Sequence, residues 1–198
     1  MLAERKMSVD VEMFEVGDVI HFQLKDGEKI EAIAVKETSE GMLFITKDCL
    51  SKEYPMFKTP DRMGSMEISY FNSDLRHALN GEILDRFPDE IKSRMVGMRI
   101  GNTDFFDLLR IPTEKEIFGE NVYGKPEGAD VEQFELMKDR RNRIAFQPVG
   151  DEMRWEWYWL QNRDEDYAYL FAIVDTGGNA SYTSASFSFG VRPVFLLS

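Results

Sequence analysis

The chain has 198 residues, 43% hydrophobic and 30% charged, with 24 Lys and Arg against 36 Asp and Glu and a formal net charge of −12. A chain of that length buries roughly 70% of its unfolded surface and needs neither a disulfide nor a metal to fold. The acidic balance disfavours nucleic acid and anionic membrane surfaces as partners, because both are recognised through clustered Lys and Arg.

A single cysteine, Cys49, excludes an internal disulfide framework and a thiolate zinc site. The opening "MLAERKMSVDVEMF" carries charges at Glu4, Arg5 and Lys6 and has no apolar run long enough for a signal peptide or a membrane helix. The expected location is the cytoplasm, or a virus particle after lysis.

From Gly17, "GDVIHFQLKDGEKIEAIAVKETSEGMLFITKDCL" predicts three antiparallel strands, since its apolar and β-branched runs are broken by "KDGE" and "TSEG". Ile20, Phe22 and Leu24 alternate with Val19, His21 and Gln23, which gives the first strand one buried face. The stretch after Leu50 contains two prolines and no sustained period, and is expected to be a surface loop.

Helix signals follow. Asn72 or Ser73 caps "DLRHALNGEIL", with Leu75, Ala78 and Leu79 on one face; Pro88, Asp89 and Glu90 open a short helix reaching Met95. Thr113 and Glu116 have capping-box spacing and Gly119 stops that helix. A further helix is expected from about Val131 to Arg141. The chain then returns to strands at "RWEWYWLQ", "YAYLFAIVD", "ASYTSASFSF" and "VRPVFLLS", with a tight turn at "TGGN".

The tail also carries a resemblance. "WYWLQNR", an apolar strand, "TGGN" and "FGVRPVFLLS" resemble the closing signature WWLRSP…GVRPAL of a bacterial and prophage domain family of unknown function. The segments "GDVIHFQLKDGEKIEAIAVKETSEGMLFITKDCL" and "NSDLRHALNGEILDRFPDEIK" resemble that family's first strands and its helix, so the resemblance runs from about Gly17 to Ser198. Gln161-Asn162-Arg163 replaces the family's Arg-Ser-Pro, and Ala78 its helix tryptophan. The G-[FV]-R-P element is similar to the start of the last strand in the C-type-lectin-like fold of formylglycine-generating enzymes and the phage major tropism determinant, an analogy of fold that transfers no function. The enzyme activity of that family depends on a cysteine pair, which this chain lacks.

Pro193 has no N–H and holds Arg192 extended, as at the start of a strand. Arg192 shares a face with Val194 and Leu196, so its guanidinium must find a carboxylate or several carbonyls; the expectation is a structural clamp, with a ligand-binding arginine as the alternative. In "SYTSASFSF" a single strand would place Tyr182, Ser184, Ser186 and Ser188 on one face, either a recognition surface or a solvated sheet face. Tyr158, Gln161, Asn162, Arg163 and Asn179 complete the candidate ligand-binding set. Trp155, Trp157 and Trp159 alternate as core or interface anchors.

No metal or cofactor is expected. Asp164, Glu165 and Asp166 lack a calcium-loop pattern, and His21 and His77 lack metal-ligand spacing. Cys49 with either histidine makes a poor nucleophile pair beside the simpler role of a buried hydrophobe. The basic cluster "KDRRNR" ends the expected helix and complements its dipole. The fold expectation is a short extension over 1–16 and one α+β domain over 17–198, with amino-terminal antiparallel strands, central short helices and a C-type-lectin-like carboxyl-terminal sheet. The functional expectation is a non-enzymatic binding or structural module for a protein or glycan, with homo-oligomerisation open. The alternative is a hydrolase or transferase using acidic residues drawn from Asp151, Glu156, Asp164, Asp166 and Asp175.

Overall fold

A computed structural model describes residues 14–59, 68–126 and 131–198. Most of the amino-terminal extension, and parts of the loops after Leu50 and Gly119, lie outside the described residues. The three opening strands form as the alternation predicts: β1 (Val19–Gln23), β2 (Lys29–Thr38) and β3 (Gly41–Thr46) pair antiparallel in sequence. A two-residue strand β4 (Tyr54–Pro55) follows. Ser73 then caps α1 (Asp74–Ala78), accepting the N–H of Arg76 at 3.0 Å. The helix continues through a π segment, Leu79–Ile83, and α2 (Leu84–Arg86), with a kink at Gly81, whose φ of −119° and ψ of −107° are not helical.

The helix opened by Pro88 is shorter than expected, α3 (Asp89–Lys92). Met95 belongs instead to β5 (Met95–Val96), because the far edge of the last strand supplies a partner for it. Strands β6 (Met98–Arg99) and β7 (Phe106–Asp107) form a small ribbon. Helix α4 (Glu114–Phe118) has both halves of its capping box and ends at Gly119, with φ of 81°.

The helix expected over 131–141 is absent. Two 3-10 turns stand there, Glu135–Lys138 and Arg140–Arg143. Phe134 and Met137, three apart, both bury, but no further apolar residue continues the stripe, and the Asp139 side chain restarts the chain by accepting the N–H of Arg141.

"RWEWYWLQ" is two strands, not one. β8 (Ala145–Val149) pairs with β9 (Glu152–Glu156), whereas β10 (Tyr158–Arg163) pairs with β11 (Leu170–Val174). Between them the Trp157 carbonyl accepts the Gly190 N–H and the Gly190 carbonyl accepts the Trp159 N–H, which turns the chain from one ribbon into the other. Trp155 is therefore 59% exposed, its ring against Phe146, while Trp159 is fully buried and donates from Nε1 to the Tyr54 carbonyl at 2.7 Å. The "SYTSASFSF" strand also breaks. β12 (Ala180–Ser184) pairs with β11, Ala185 turns inward, and β13 (Ser188–Phe189) leaves to pair with β4. Ala185 is fixed by the Tyr169 carbonyl and by the N–H of Phe57, which draws the chain off the β11 edge.

The last strand, β14 (Val194–Leu197), is inserted between β3 and β5, giving a curled, half-barrel sheet of order β1-β2-β3-β14-β5. Both of its faces are covered. Phe195 and Leu197 join Phe44, Ile20, the helical Leu75 and Leu79, and Phe87 just past α2; Val194 and Leu196 join Ile45, Ile117, Phe134 and Leu160. That burial on two sides explains why "VFLL" is apolar throughout instead of alternating. The result is a single α+β domain, mostly antiparallel strands with a few short helices, whose two ends meet in one sheet.

Candidate functional site

The second sheet, β10-β11-β12, carries exposed aromatic side chains at the end marked by Arg163, Leu170 and Ser184. Their placement begins with α4. Thr113 and Glu116 cap that helix reciprocally, and Glu116 also forms a two-pronged buried pair with Arg110 at 2.6 and 2.8 Å. Glu114 is thereby directed inward, fully buried. Its carboxylate accepts the main-chain N–H groups of Val122, Tyr123 and Gly124 at 3.2, 3.0 and 2.6 Å. Burial pushes the Glu114 carboxyl up, and these three N–H groups oppose that shift.

Asn162, also fully buried, closes the same clasp. Its Oδ1 accepts the N–H of Glu114 at 2.8 Å, and its Nδ2 donates to the Lys125 carbonyl at 2.8 Å. Gly124 is pressed so closely on Asn162 that a Cβ there would sit 2.2 Å from the Asn162 Cβ. The held loop presents Tyr123 against Tyr182 of β12, with ring centroids 5.0 Å apart and both rings well exposed. Beyond the end of β10, Asp164 Oδ1 accepts the N–H groups of Asp166 and Tyr167, and Tyr167 meets Tyr169 at 6.1 Å.

The candidate residues read from the sequence divide among three environments. Tyr158, Gln161 and Asn162 are buried and engaged internally: Tyr158 Oη donates to the Arg143 carbonyl, and Gln161 Nε2 to the Ile111 carbonyl at 2.6 Å. Burial raises the Tyr158 hydroxyl pKa, against the opposing Arg192 charge. Arg163, Tyr182, Ser184 and Ser186 stand at the sheet end, where the two serine hydroxyls are 3.2 Å apart. Asn179 caps the "TGGN" turn through Asp175, and Ser188 lies on the β4–β13 ribbon, so neither shares a continuous face with Tyr182. Tyr123, Tyr167 and Tyr169 were not singled out in the sequence; tyrosines inside glycine-bearing or acidic loops were the only signal.

The acidic candidates do not converge. Asp151 is exposed in the β8–β9 turn, Asp164 and Asp175 cap their own loops, and Asp166 is exposed. Glu156 has another neighbour, Glu53: burial and then the hydrogen bond to Glu53 push its carboxyl from the ordinary 4.5 up to about 7. Cys49 is fully enclosed and its thiol is pushed up by burial, so it is not poised as a nucleophile. Among the described residues no group of three or more His, Cys, Asp or Glu is placed to hold a metal, and no helix is long and apolar enough to cross a membrane.

Arg192 is 1% exposed. Its Nε donates to the Thr46 carbonyl at 2.8 Å, and its Nη1 to the Asn142 carbonyl at 3.3 Å and the Tyr158 hydroxyl at 3.1 Å. The guanidinium also lies over the Tyr158 ring, 5.0 Å from its centroid.

A sheet-based α+β domain with an anchored aromatic loop beside an edge strand is the class of protein these features define. The chain belongs to a family described as "Domain of unknown function (DUF6273)", whose model matches residues 40–198. The match begins at the turn before β3, so β1 and β2, which the sequence resemblance was expected to include, lie ahead of it. No curated protein and no solved structure matches the chain.

Proposed function

We propose that the protein is a non-enzymatic binding module that takes a glycan or protein ligand on the tyrosine–serine end of the β10-β11-β12 sheet. The observation that carries this reading is the expense of positioning one exposed ring. A buried carboxylate, a buried amide and a glycine with no room for a side chain hold the loop that sets Tyr123 against Tyr182. Rigid tyrosines give contact area at low entropy cost, and Ser184 and Ser186 add adaptable hydrogen bonds. A hydrolase or transferase reading has less support, since catalysis needs titratable groups within reach of one another and the acidic candidates of the carboxyl-terminal region stand apart from each other.

The finer reading of the carboxyl-terminal half as C-type-lectin-like, and of the chain as prophage-encoded, goes with this proposal; its support is the Gly190-Val191-Arg192-Pro193 element ahead of the last strand. Screening the protein on glycan and protein arrays tests the function. A ligand bound by the native chain and lost in Tyr182→Ala and Tyr123→Ala, both with unchanged melting, is the expected result. A ligand that ignores both substitutions places recognition elsewhere.

A further inference from the structure

Among the described residues, Arg192 is a buried cation with no counter-ion. No carboxylate of the described residues pairs with it, and its hydrogen bonds go to two carbonyls and a hydroxyl through Nε and Nη1 alone. The third nitrogen, Nη2, makes no hydrogen bond among the described residues. Nor is it sealed in, since Tyr70 Oη is the only enclosed side-chain polar atom without a partner among the described residues. Arg192, 1% exposed, forms part of the wall of a pocket of about 390 Å³. An uncompensated buried charge is costly, and a guanidinium in a cavity wall with one nitrogen unused is ready to meet an oxygen of an anion.

The rest of the lining narrows the ligand. Ile33, Ile144, Phe146 and Met153 supply apolar walls. Lys47 and Arg141 stand at the same pocket with exposed side chains, each already leaning on an acidic neighbour, Glu31 and Asp139. Asp48 is the one carboxylate in the lining, and its Oδ1 is occupied by the N–H of Phe146 at 3.0 Å. We propose that this pocket binds a small organic acid, with its carboxylate on Arg192 Nη2 and its apolar body against Ile33, Ile144, Phe146 and Met153. The volume lies within the usual range for small-molecule sites, at its lower end. The site is separate from the tyrosine–serine surface, so the two proposals fail independently.

Isothermal titration of the full chain with benzoate, benzamide and inorganic phosphate tests it. Benzoate is expected to bind saturably, and benzamide, of the same shape without the charge, roughly tenfold or more weakly, as befits loss of a charge-assisted bond. Because Arg192 also holds the fold together, the deciding variants sit at the pocket's other walls. Met153→Trp, at a half-exposed position, is expected to fill the cavity and abolish benzoate binding with melting unchanged. Lys47→Gln and Arg141→Gln are expected to weaken it roughly two- to fivefold, as exposed charges do. The proposal is overturned if benzoate shows no saturable binding at millimolar concentrations, if benzamide or phosphate binds as well as benzoate, or if Met153→Trp leaves benzoate binding intact.

Discussion

Arg192 Nε donates to the main-chain oxygen of Thr46 at 2.8 Å, which fastens the approach to the last strand onto the end of the third. The backbone repeats the link, since the Thr46 N–H bonds the Pro193 carbonyl and the Leu50 N–H bonds the Val191 carbonyl. Replacing Arg192 with Ala would strip hydrogen bonds from the carbonyl of the buried Thr46 and from that of Asn142, and open a void beside Tyr158. The expected loss is about 3 kcal/mol. Arg192→Lys should recover only part, because an ammonium cannot reach Thr46, Asn142 and Tyr158 in the same planar fork. Urea melts of both variants give the comparison, and unchanged midpoints would refute the clamp.

Gly190 is the companion to that clamp. A Cβ there would meet Cys49 Sγ at 2.6 Å, the Glu156 side chain at 2.7 Å and the Trp157 carbonyl at 2.8 Å. Gly190→Ala is therefore expected to destabilise by about 1–3 kcal/mol through overpacking. Only the flexible Glu156 can yield cheaply. Thermal melting of Gly190→Ala beside Gly81→Ala, where a Cβ has open space, isolates the steric part.

Glu114 gives a prediction that joins stability to recognition. Glu114→Ala leaves three N–H groups of the Val122–Gly124 turn without their acceptor, and a loss of about 2–3 kcal/mol is expected. The loop carrying Tyr123 should then exchange its amide hydrogens faster than the rest of the sheet. Hydrogen-exchange mass spectrometry reads this directly; protection equal to that of the native chain would mean the carboxylate does not hold the loop.

Glu156 sets a pH dependence. Its carboxyl binds a proton more tightly folded, at about 7, than unfolded, at an ordinary 4.5. Its contribution is therefore most favourable below 4.5 and declines as pH rises through that window to about 7. Glu156→Gln, which stays neutral, should gain on the native chain over the same interval and hold a constant difference above it. Glu53→Gln should narrow the window without closing it, because burial is the larger cause. Chemical denaturation from pH 4 to 8 gives the curves, and parallel profiles for native and Glu156→Gln would rule the assignment out.

Cys49, enclosed beside Gly190, is expected to resist thiol reagents in the folded protein and to react only at the rate of opening. Rapid native labelling would contradict its burial.

Local chemistry alone determined the opening meander, the Ser73 and Thr113 caps, the stop at Gly119 and the extended start of the final strand, because each depends on residues within a few positions of one another. The sequence also required Arg192 to find polar partners; that these are the Thr46 and Asn142 carbonyls and Tyr158, with no carboxylate among the described residues, depended on which segments pack beside it. Tertiary contacts decided the breaks as well. Gly190 split the tryptophan strand at Trp157, leaving Trp155 exposed and Trp159 enclosed, and Tyr169 with Phe57 drew Ala185 inward, ending the serine alternation. The pairing of Tyr123 with Tyr182 joins a loop and a strand 59 residues apart through a buried glutamate. Periodicity records what a residue does to its neighbours along the chain, whereas a break, a burial or a shared surface is fixed by a partner distant in sequence, whose approach no local pattern encodes.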